Sequence, residues 1–206
     1  MYDYRNEHMY KFIKICEEII NDIVDLKNYD FVLDLSKIKE ELGGNSIHLN
    51  RETVNALLKA QKELPDNDYR FIISSGYRSY EDQQKLNDLM KKELQKSHPD
   101  EWEKLLNDYT GGDDYLKYLR DTDLNKLSRM SHSSGYAVDI IGIKNISTGE
   151  ELNLGGESKL DNSDRLDYYS KDTEIGKNRK ILGDILKNNG FKNIENEYWH
   201  WGYYGS

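Results

Sequence analysis

The stretch from residue 130 to residue 141 constrains the fold most, because it sets a carboxylate inside an apolar run. Asp139 has two apolar residues directly before it and two isoleucines directly after it, a pattern typical of a buried β-strand. A buried carboxylate is costly unless it is paired or bound to a metal. The chain must therefore supply Asp139 with a partner, or else expose it on the polar face of an alternating strand.

The residues around Asp139, together with a second stretch near the C-terminus, contain the side chains of a hydrolytic metal site. His132 precedes Asp139 with six residues between them, and Gly135 permits the chain to bend there. Glu197 and His200 supply another carboxylate and another imidazole. Two histidines, an aspartate and a glutamate are the groups that a catalytic zinc centre uses as three ligands and a base.

The spacing of Glu197 and His200 makes a specific structural demand. Residues three apart on a regular strand point to opposite faces. If both serve one metal, Glu197 must lie in an irregular segment that leads into the strand carrying His200. The alternative is that His200, which stands between Trp199 and Trp201, is a packing residue of the core.

Arg78 follows an apolar stretch, Tyr69 to Ser75, that predicts a buried strand. A side chain just beyond the end of a strand is presented at the edge of the sheet, where it can stabilise the oxyanion formed when water attacks a carbonyl. The alternative is an arginine at a helix start that pairs with Glu81 or Asp82.

The composition excludes some classes of partner. The net charge of -9 argues against nucleic acid or an anionic membrane as the main partner. No apolar run approaches the length of a membrane span. We expect a monomer or a weak oligomer.

Hydrophobic periodicity predicts one α+β domain over residues 1–206, with a small antiparallel sheet and flanking helices. An amphipathic helix is expected over about residues 6–26, and a polar helical segment over about residues 100–130. Strands are expected at 69–75, 136–143 and 198–203, and 151–154 is expected to pair back as a hairpin.

Three stretches resemble the signatures of a known family and occur in the same order. They are Ser75-Gly-Tyr-Arg-Ser-Tyr-Glu-Asp-Gln83, His132-Ser-Ser-Gly-Tyr-Ala-Val-Asp139 and Glu197-Tyr-Trp-His-Trp201. Together they resemble the zinc D,D-peptidases (peptidase M15). That family comprises VanY-type D,D-carboxypeptidases, VanX-type D-Ala-D-Ala dipeptidases and related phage endolysins that cut peptidoglycan stems. The resemblance implies the single-zinc α+β fold of the hedgehog/DD-peptidase type.

The resemblance also implies roles for particular residues. His132, Asp139 and His200 would bind one zinc ion per chain, Glu197 would be the catalytic base, and Arg78 would stabilise the carbonyl and the oxyanion. The implied activity is hydrolysis of D-Ala-D-Ala bonds in peptidoglycan precursors, by glutamate-assisted attack of a zinc-bound water.

The branch of the family is left open by three predicted substrate-binding residues. Gln83 is similar to the glutamine that lines the carboxypeptidase site. Asp161 is the nearest equivalent of the dipeptidase aspartate that meets the substrate's free ammonium, although the phenylalanine before it is absent. Met130 stands where relatives have a serine, and Ser131 is shifted by one position.

The same residues allow two alternative functions. An endolysin-type endopeptidase is an alternative within the family, and a non-catalytic peptidoglycan-binding or metal-binding module is an alternative outside it. Such a module would lack the base or a ligand, and the sequence lacks neither. The first residues do not resemble a signal peptide. The protein is expected in the cytoplasm if residue 1 is the native start, and at the cell wall if a signal or anchor precedes it.

Overall fold

The computed structural model describes residues 22–123, 126–156, 162–194 and 196–205. The strands in this part of the chain are β1 (Ile23–Asp25), β2 (Val32–Leu33), β3 (His48–Asn50), β4 (Tyr69–Ser75), β5 (Ala137–Asn145), β6 (Phe191–Ile194) and β7 (Glu197–Tyr203). The α-helices are α1 (Ser36–Leu42), α2 (Arg51–Gln61), α3 (Tyr80–Ser97), α4 (Trp102–Thr110), α5 (Gly112–Asp121) and α6 (Glu174–Asn188). Short 3-10 helices cover Leu26–Asn28, His132–Ser134 and Asn162–Asp164.

The main sheet has five strands in the order β2-β4-β5-β7-β6, and β1 pairs with β3 in a separate two-stranded sheet. β4, β5 and β7 pair antiparallel, as the sequence predicts, and β6 adds a further antiparallel strand next to β7. The predicted antiparallel sheet has one parallel pair at its edge, because β2 runs parallel to β4. A parallel pair needs a long crossover, and α1, β3 and α2 provide one between these strands.

One face of the sheet forms the core together with α2 and α6. Local sequence signals define both helices. The side chain of Asn50 caps α2 by accepting from the backbone N–H of Glu52, and Thr173 caps α6 by accepting from Gly176. The fully buried core side chains include Val54, Leu57, Phe71, Ile73, Val138, Ile140, Leu182, Leu186 and Trp201.

The alternation of β5 separates this core from the opposite face. Val138 and Ile140 belong to the hydrophobic core, while Asp139 between them lines a cavity on the other side. α3, α4 and α5 lie across that cavity, with Ser79 capping α3 through the backbone N–H of Asp82. Asp139 is therefore buried, but it is not part of the apolar core.

Several predicted elements differ from the structure. Residues 6–21 of the predicted N-terminal helix lie outside the described residues. At its other end, Ile23–Asp25 is a strand, because pairing with β3 satisfies its backbone groups. The predicted hairpin partner at 151–154 is reduced to a single bridge between Lys144 and Glu151. Among the described residues of the predicted helical segment at about 100–130, α-helix covers α4 and α5.

No helix among the described residues is both long and apolar enough to cross a membrane.

Candidate metal centre

Three buried side chains from separate parts of the chain converge at the cavity end of the sheet. His132 begins the 3-10 helix before β5, Asp139 lies within β5, and His200 pairs directly opposite Asp139 on β7. Gly135 turns the chain between His132 and the strand with a left-handed φ of 77°. The potential ligand atoms of the three side chains all lie within 4.8 Å of one another.

Backbone carbonyls fix the orientation of both histidine rings. Nδ1 of His132 lies 2.8 Å from the carbonyl oxygen of Gly76, and Nε2 of His200 lies 2.8 Å from that of Met130. A carbonyl oxygen only accepts hydrogen bonds, so each of these nitrogens carries a hydrogen. The remaining nitrogens face Asp139: Nε2 of His132 is 3.3 Å from Oδ2, and Nδ1 of His200 is 2.9 Å from Oδ1.

This geometry fits one zinc ion. When both rings are neutral, two nitrogen lone pairs point at a carboxylate, an arrangement that is favourable only with a cation or a proton among them. Zinc binds imidazole nitrogen and carboxylate oxygen. A ligand histidine that donates its other N–H to a carbonyl is also the usual outer arrangement at zinc sites. His132, Asp139 and His200 would hold the ion.

The pKa values show where the proton resides without a metal. Burial, reinforced by the positive charge of Arg78, lowers the pKa of His132 to about 4. Burial also disfavours the charged forms of Asp139 and His200, but their mutual attraction outweighs it. The two histidines hold the pKa of Asp139 well below its usual range, and Asp139 raises the pKa of His200. At pH values below this raised pKa, His200 carries a proton that a metal must displace.

The Met130 carbonyl can reach His200 because the segment Arg129–Met130 packs closely against the backbone of Gly202. A Cβ at position 202 would lie 2.6 Å from the carbonyl oxygen of Arg129 and 2.5 Å from the sulfur of Met130. A larger residue would push this segment away from β7, and the Met130 carbonyl with it. The contact uses the backbone, so it does not depend on whether position 130 is a methionine or the serine of the resembled family.

Glu197 and His200 line the same cavity although they are three residues apart. An irregularity in β7 makes this possible: Asn193 pairs with Trp201, but the next residue, Ile194, pairs with Glu197. Three residues of β7 are thus looped out of the pairing with β6, which resets the alternation of the side chains. Glu197 itself is paired with Ile194 in β7, so the irregularity follows Glu197, whereas the spacing predicts an irregular lead-in that contains it.

Arg78 lies next to the three predicted metal ligands, and does not pair with a carboxylate of the helix that follows it. One guanidinium nitrogen is 2.7 Å from the hydroxyl oxygen of Ser75 and 3.6 Å from Oδ2 of Asp139. Asp82, one of the alternative partners, is contacted by Ser79 and Lys85 instead. Arg78 therefore adds a positive charge at the edge of the cavity.

A cavity of about 480 Å³ opens in front of these residues. We call its two sides the sheet wall and the helical wall. The sheet wall consists of Ser75, Arg78, Ser131, His132, Asp139, Glu197 and His200, and the helical wall of Gln83, Leu86, Met90, Asn107, Asp108, Thr110, Gly111, Tyr115 and Tyr118. The helical segment predicted to form one wall of a cleft thus contributes α4 and α5 to the cavity.

Two of the three predicted substrate-binding residues line the cavity, and each has a partner on the helical side. Ser131 is buried, and its hydroxyl oxygen lies 2.6 Å from that of Tyr115. Gln83 is buried and donates to Asn87, which in turn donates to the carbonyl of Gly112. Asp161, the third residue, lies outside the described residues.

No sequence pattern points to Asn193, Tyr115 or Asn87 as site residues. The strand β6 that carries Asn193 is short and half polar, so it has no clear periodicity. Asparagine is uncommon in strands, and its presence between Phe191 and Ile194 is the one available signal. Tyr115 and Asn87 contact the site only after distant helices pack together.

Comparisons with known proteins place these observations in context. The family model peptidase M15, described as D-ala-D-ala dipeptidase, matches residues 17–205. A zinc complex of a mutant of the vancomycin-resistance D,D-pentapeptidase VanY, from a VanB-type resistance cassette, is 17% identical with a TM-score of 0.47. It covers 87% of this chain and 82% of its own. The LdcB LD-carboxypeptidase is 21% identical with a TM-score of 0.42, covering 89% and 68% respectively. A search of curated proteins gives no match.

Proposed function

This chain belongs to the peptidase M15 family, and from that premise we propose that it is a zinc-dependent peptidase that cleaves D-Ala-D-Ala bonds of peptidoglycan precursors. The observation that carries the proposal is the placement of Glu197 on the same cavity as His132, Asp139 and His200. Three ligands and a separate carboxylate base are groups that a zinc site can use for metal-assisted hydrolysis. A non-catalytic module would have no need of the carboxylate.

The proposed reaction assigns one task to each side chain. When bound, zinc supplies Lewis acidity to the scissile carbonyl and to the attacking water. Glu197 accepts a proton from that water and delivers it to the leaving amine. Arg78 donates hydrogen bonds to the oxyanion that develops on the carbonyl oxygen. The carbonyls of Gly76 and Met130 keep the two histidine rings in place throughout.

The substrate is proposed to be a peptide that ends in D-Ala-D-Ala, either the free dipeptide or a longer stem. Gln83 in the cavity wall supports the carboxypeptidase reaction, because this residue resembles the glutamine of that branch. A panel of D-Ala-D-Ala, its N-acylated form and a stem pentapeptide separates the two reactions. A dipeptidase requires the free amine and rejects the acylated form, whereas a carboxypeptidase releases D-alanine from both longer substrates.

The decisive experiment replaces Glu197 in zinc-loaded protein. Glu197→Ala is expected to lower kcat by about 10²–10⁴-fold, because it removes the general base, and to keep one zinc per chain by elemental analysis. Glu150→Ala, an exposed glutamate outside the cavity, is the matched control and should keep wild-type turnover. Wild-type activity in Glu197→Ala would overturn the proposal, as would wild-type protein that cleaves none of the panel.

A further inference from the structure

The irregular segment of β7 is held by Asn193 of β6. The side-chain amide nitrogen of Asn193 donates to the carbonyl oxygen of Glu197 at 2.7 Å and to that of His200 at 2.9 Å. A carboxamide nitrogen has two hydrogens, so these bonds use both. One side chain therefore ties the backbone of the proposed base to the backbone of a proposed zinc ligand.

These two bonds replace backbone pairing that the irregularity removes. β5 continues to pair with β7 as far as His200, whereas the register between β6 and β7 shifts: Asn193 pairs with Trp201 and Ile194 pairs with Glu197. Within the same segment, the indole N–H of Trp201 donates to the carbonyl of Tyr198 at 2.8 Å. Side-chain donors therefore hold this segment of β7. Asn193 supplies the hydrogen bonds at its two ends, to the carbonyls of Glu197 and His200.

The consequence for the site follows from strand geometry. A regular β7 would direct Glu197 and His200 to opposite faces of the sheet. The looped-out conformation brings both to the cavity, and its two end carbonyls are the groups that Asn193 holds. Losing the amide would leave these carbonyls without those donors and allow Glu197 to move relative to the metal ligands.

We propose that Asn193 is a positioning residue for the hydrolytic reaction, an inference that rests on the proposed function. It acts through the backbone of Glu197 and His200. Ile194 and Glu197 are among the described residues that line the cavity, but Asn193 is not. Asn193 is therefore not expected to contact the substrate directly. Residues that orient ligands or bases in this way typically change metal affinity or activity by about 10–100-fold.

The test compares Asn193→Ala with two variants of the same strand. Lys192→Ala removes an exposed neighbouring side chain, and Phe191→Leu weakens the core packing of β6 while leaving the amide intact. Thermal melting gives the unfolding midpoint of each variant. Zinc affinity is then measured by chelator competition, and kcat and KM on a peptide that ends in D-Ala-D-Ala, at a temperature well below the lowest of these midpoints. Asn193→Ala is expected to lose about tenfold in zinc affinity and about tenfold or more in kcat, with KM within about twofold of wild type.

Two results would overturn the inference. One is zinc affinity and kcat of Asn193→Ala within about twofold of wild type. The other is an equal loss in Phe191→Leu at a similar fall in melting temperature, which would mean that the amide matters only for strand stability. The zinc-affinity comparison does not require turnover. If wild-type protein cleaved no D-alanyl peptide, the proposed function would fail while the role of Asn193 at the metal site would still be decided.

Discussion

The two walls of the cavity are built by different means. On the sheet wall, His132 and His200 are oriented by backbone carbonyls, and the backbone of β7 is held in its irregular shape. On the helical wall, the contacts to the site run from side chain to side chain, as between Tyr115 and Ser131. The rings of the two histidine ligands are therefore oriented by backbone groups, whereas the groups facing them depend on the identity of individual side chains.

This difference suggests how the two walls divide the work. A carbonyl is present at every residue, so substitutions at positions such as 130 leave the orientation of His200 intact as long as the backbone path is kept. The hydroxyl of Tyr115 is lost with a single substitution. We therefore expect changes in the sheet wall to alter metal binding and kcat, and changes in the helical wall to alter substrate affinity.

The largest effect is expected from removing a ligand of the sheet wall. His132→Ala should abolish stoichiometric zinc binding and lower turnover by about 10³-fold or more, because the metal supplies several kcal/mol of transition-state stabilisation. Elemental analysis and peptide hydrolysis measure the two effects. His98→Ala, at an exposed position after α3, is the control and should keep both. Retention of one tightly bound zinc by His132→Ala would contradict the assignment.

Zinc affinity should depend on pH through the sheet wall, because the ligands His132 and His200 both titrate. Because Asp139 raises the pKa of His200, zinc must displace a proton at every pH below that raised value. Zinc affinity should therefore fall as the pH falls, by about tenfold per unit. The decline should steepen near the pKa of about 4 at which His132 is also protonated.

A zinc titration against a competing chelator over a range of pH measures this slope. Tyr115 of the helical wall should add nothing to this slope, because burial raises the pKa of its hydroxyl, which stays protonated over this range. Tyr115→Phe should therefore have the same pH profile for zinc as wild type. A pH-independent zinc affinity between neutral pH and pH 5 would contradict the predicted displacement of a proton.

A smaller effect is expected from Tyr115→Phe on hydrolysis. The Tyr115 hydroxyl is a hydrogen-bond partner of the Ser131 hydroxyl, so the substitution leaves Ser131 in the cavity wall without that partner. KM should rise by about tenfold while kcat and zinc content stay near wild type. Tyr168→Phe, an exposed tyrosine outside the cavity, is the control. An unchanged KM would show that the helical wall does not contact the substrate through this hydroxyl.

The smallest effect on catalysis is expected from Asn87→Ala. Asn87 links Gln83 to the carbonyl of Gly112, so its loss leaves buried polar groups without a partner and should destabilise the fold by about 1–3 kcal/mol. Urea unfolding measures this, with the exposed Asp88→Ala as control. Zinc affinity should not change, and KM should rise only severalfold. A loss of zinc from Asn87→Ala would break the separation of the two walls.

The parts of the fold that the sequence predicts are those with strong local signals. β4 has the predicted bounds because its residues form a continuous apolar run, and α2 begins at the predicted cap, Asn50. The short strands β1, β3 and β6 escape prediction because three or four residues carry too little periodicity. The parallel pairing of β2 with β4 depends on contacts between distant residues, which no local pattern encodes.

The sequence by itself determined the chemical inventory of the site: a carboxylate in an apolar strand, two histidines, a glutamate and an arginine, at spacings that resemble one family. If Glu197 and His200 serve one metal, the sequence also required an irregular backbone at Glu197, since alternation on a regular strand forbids them from sharing a face. Only the tertiary structure decided how the irregular backbone is held, by the amide of Asn193, and which carbonyls orient the rings. The physical reason is that residue types and their spacing are local properties, whereas the partner of a buried polar group is set by which distant backbone the fold brings against it.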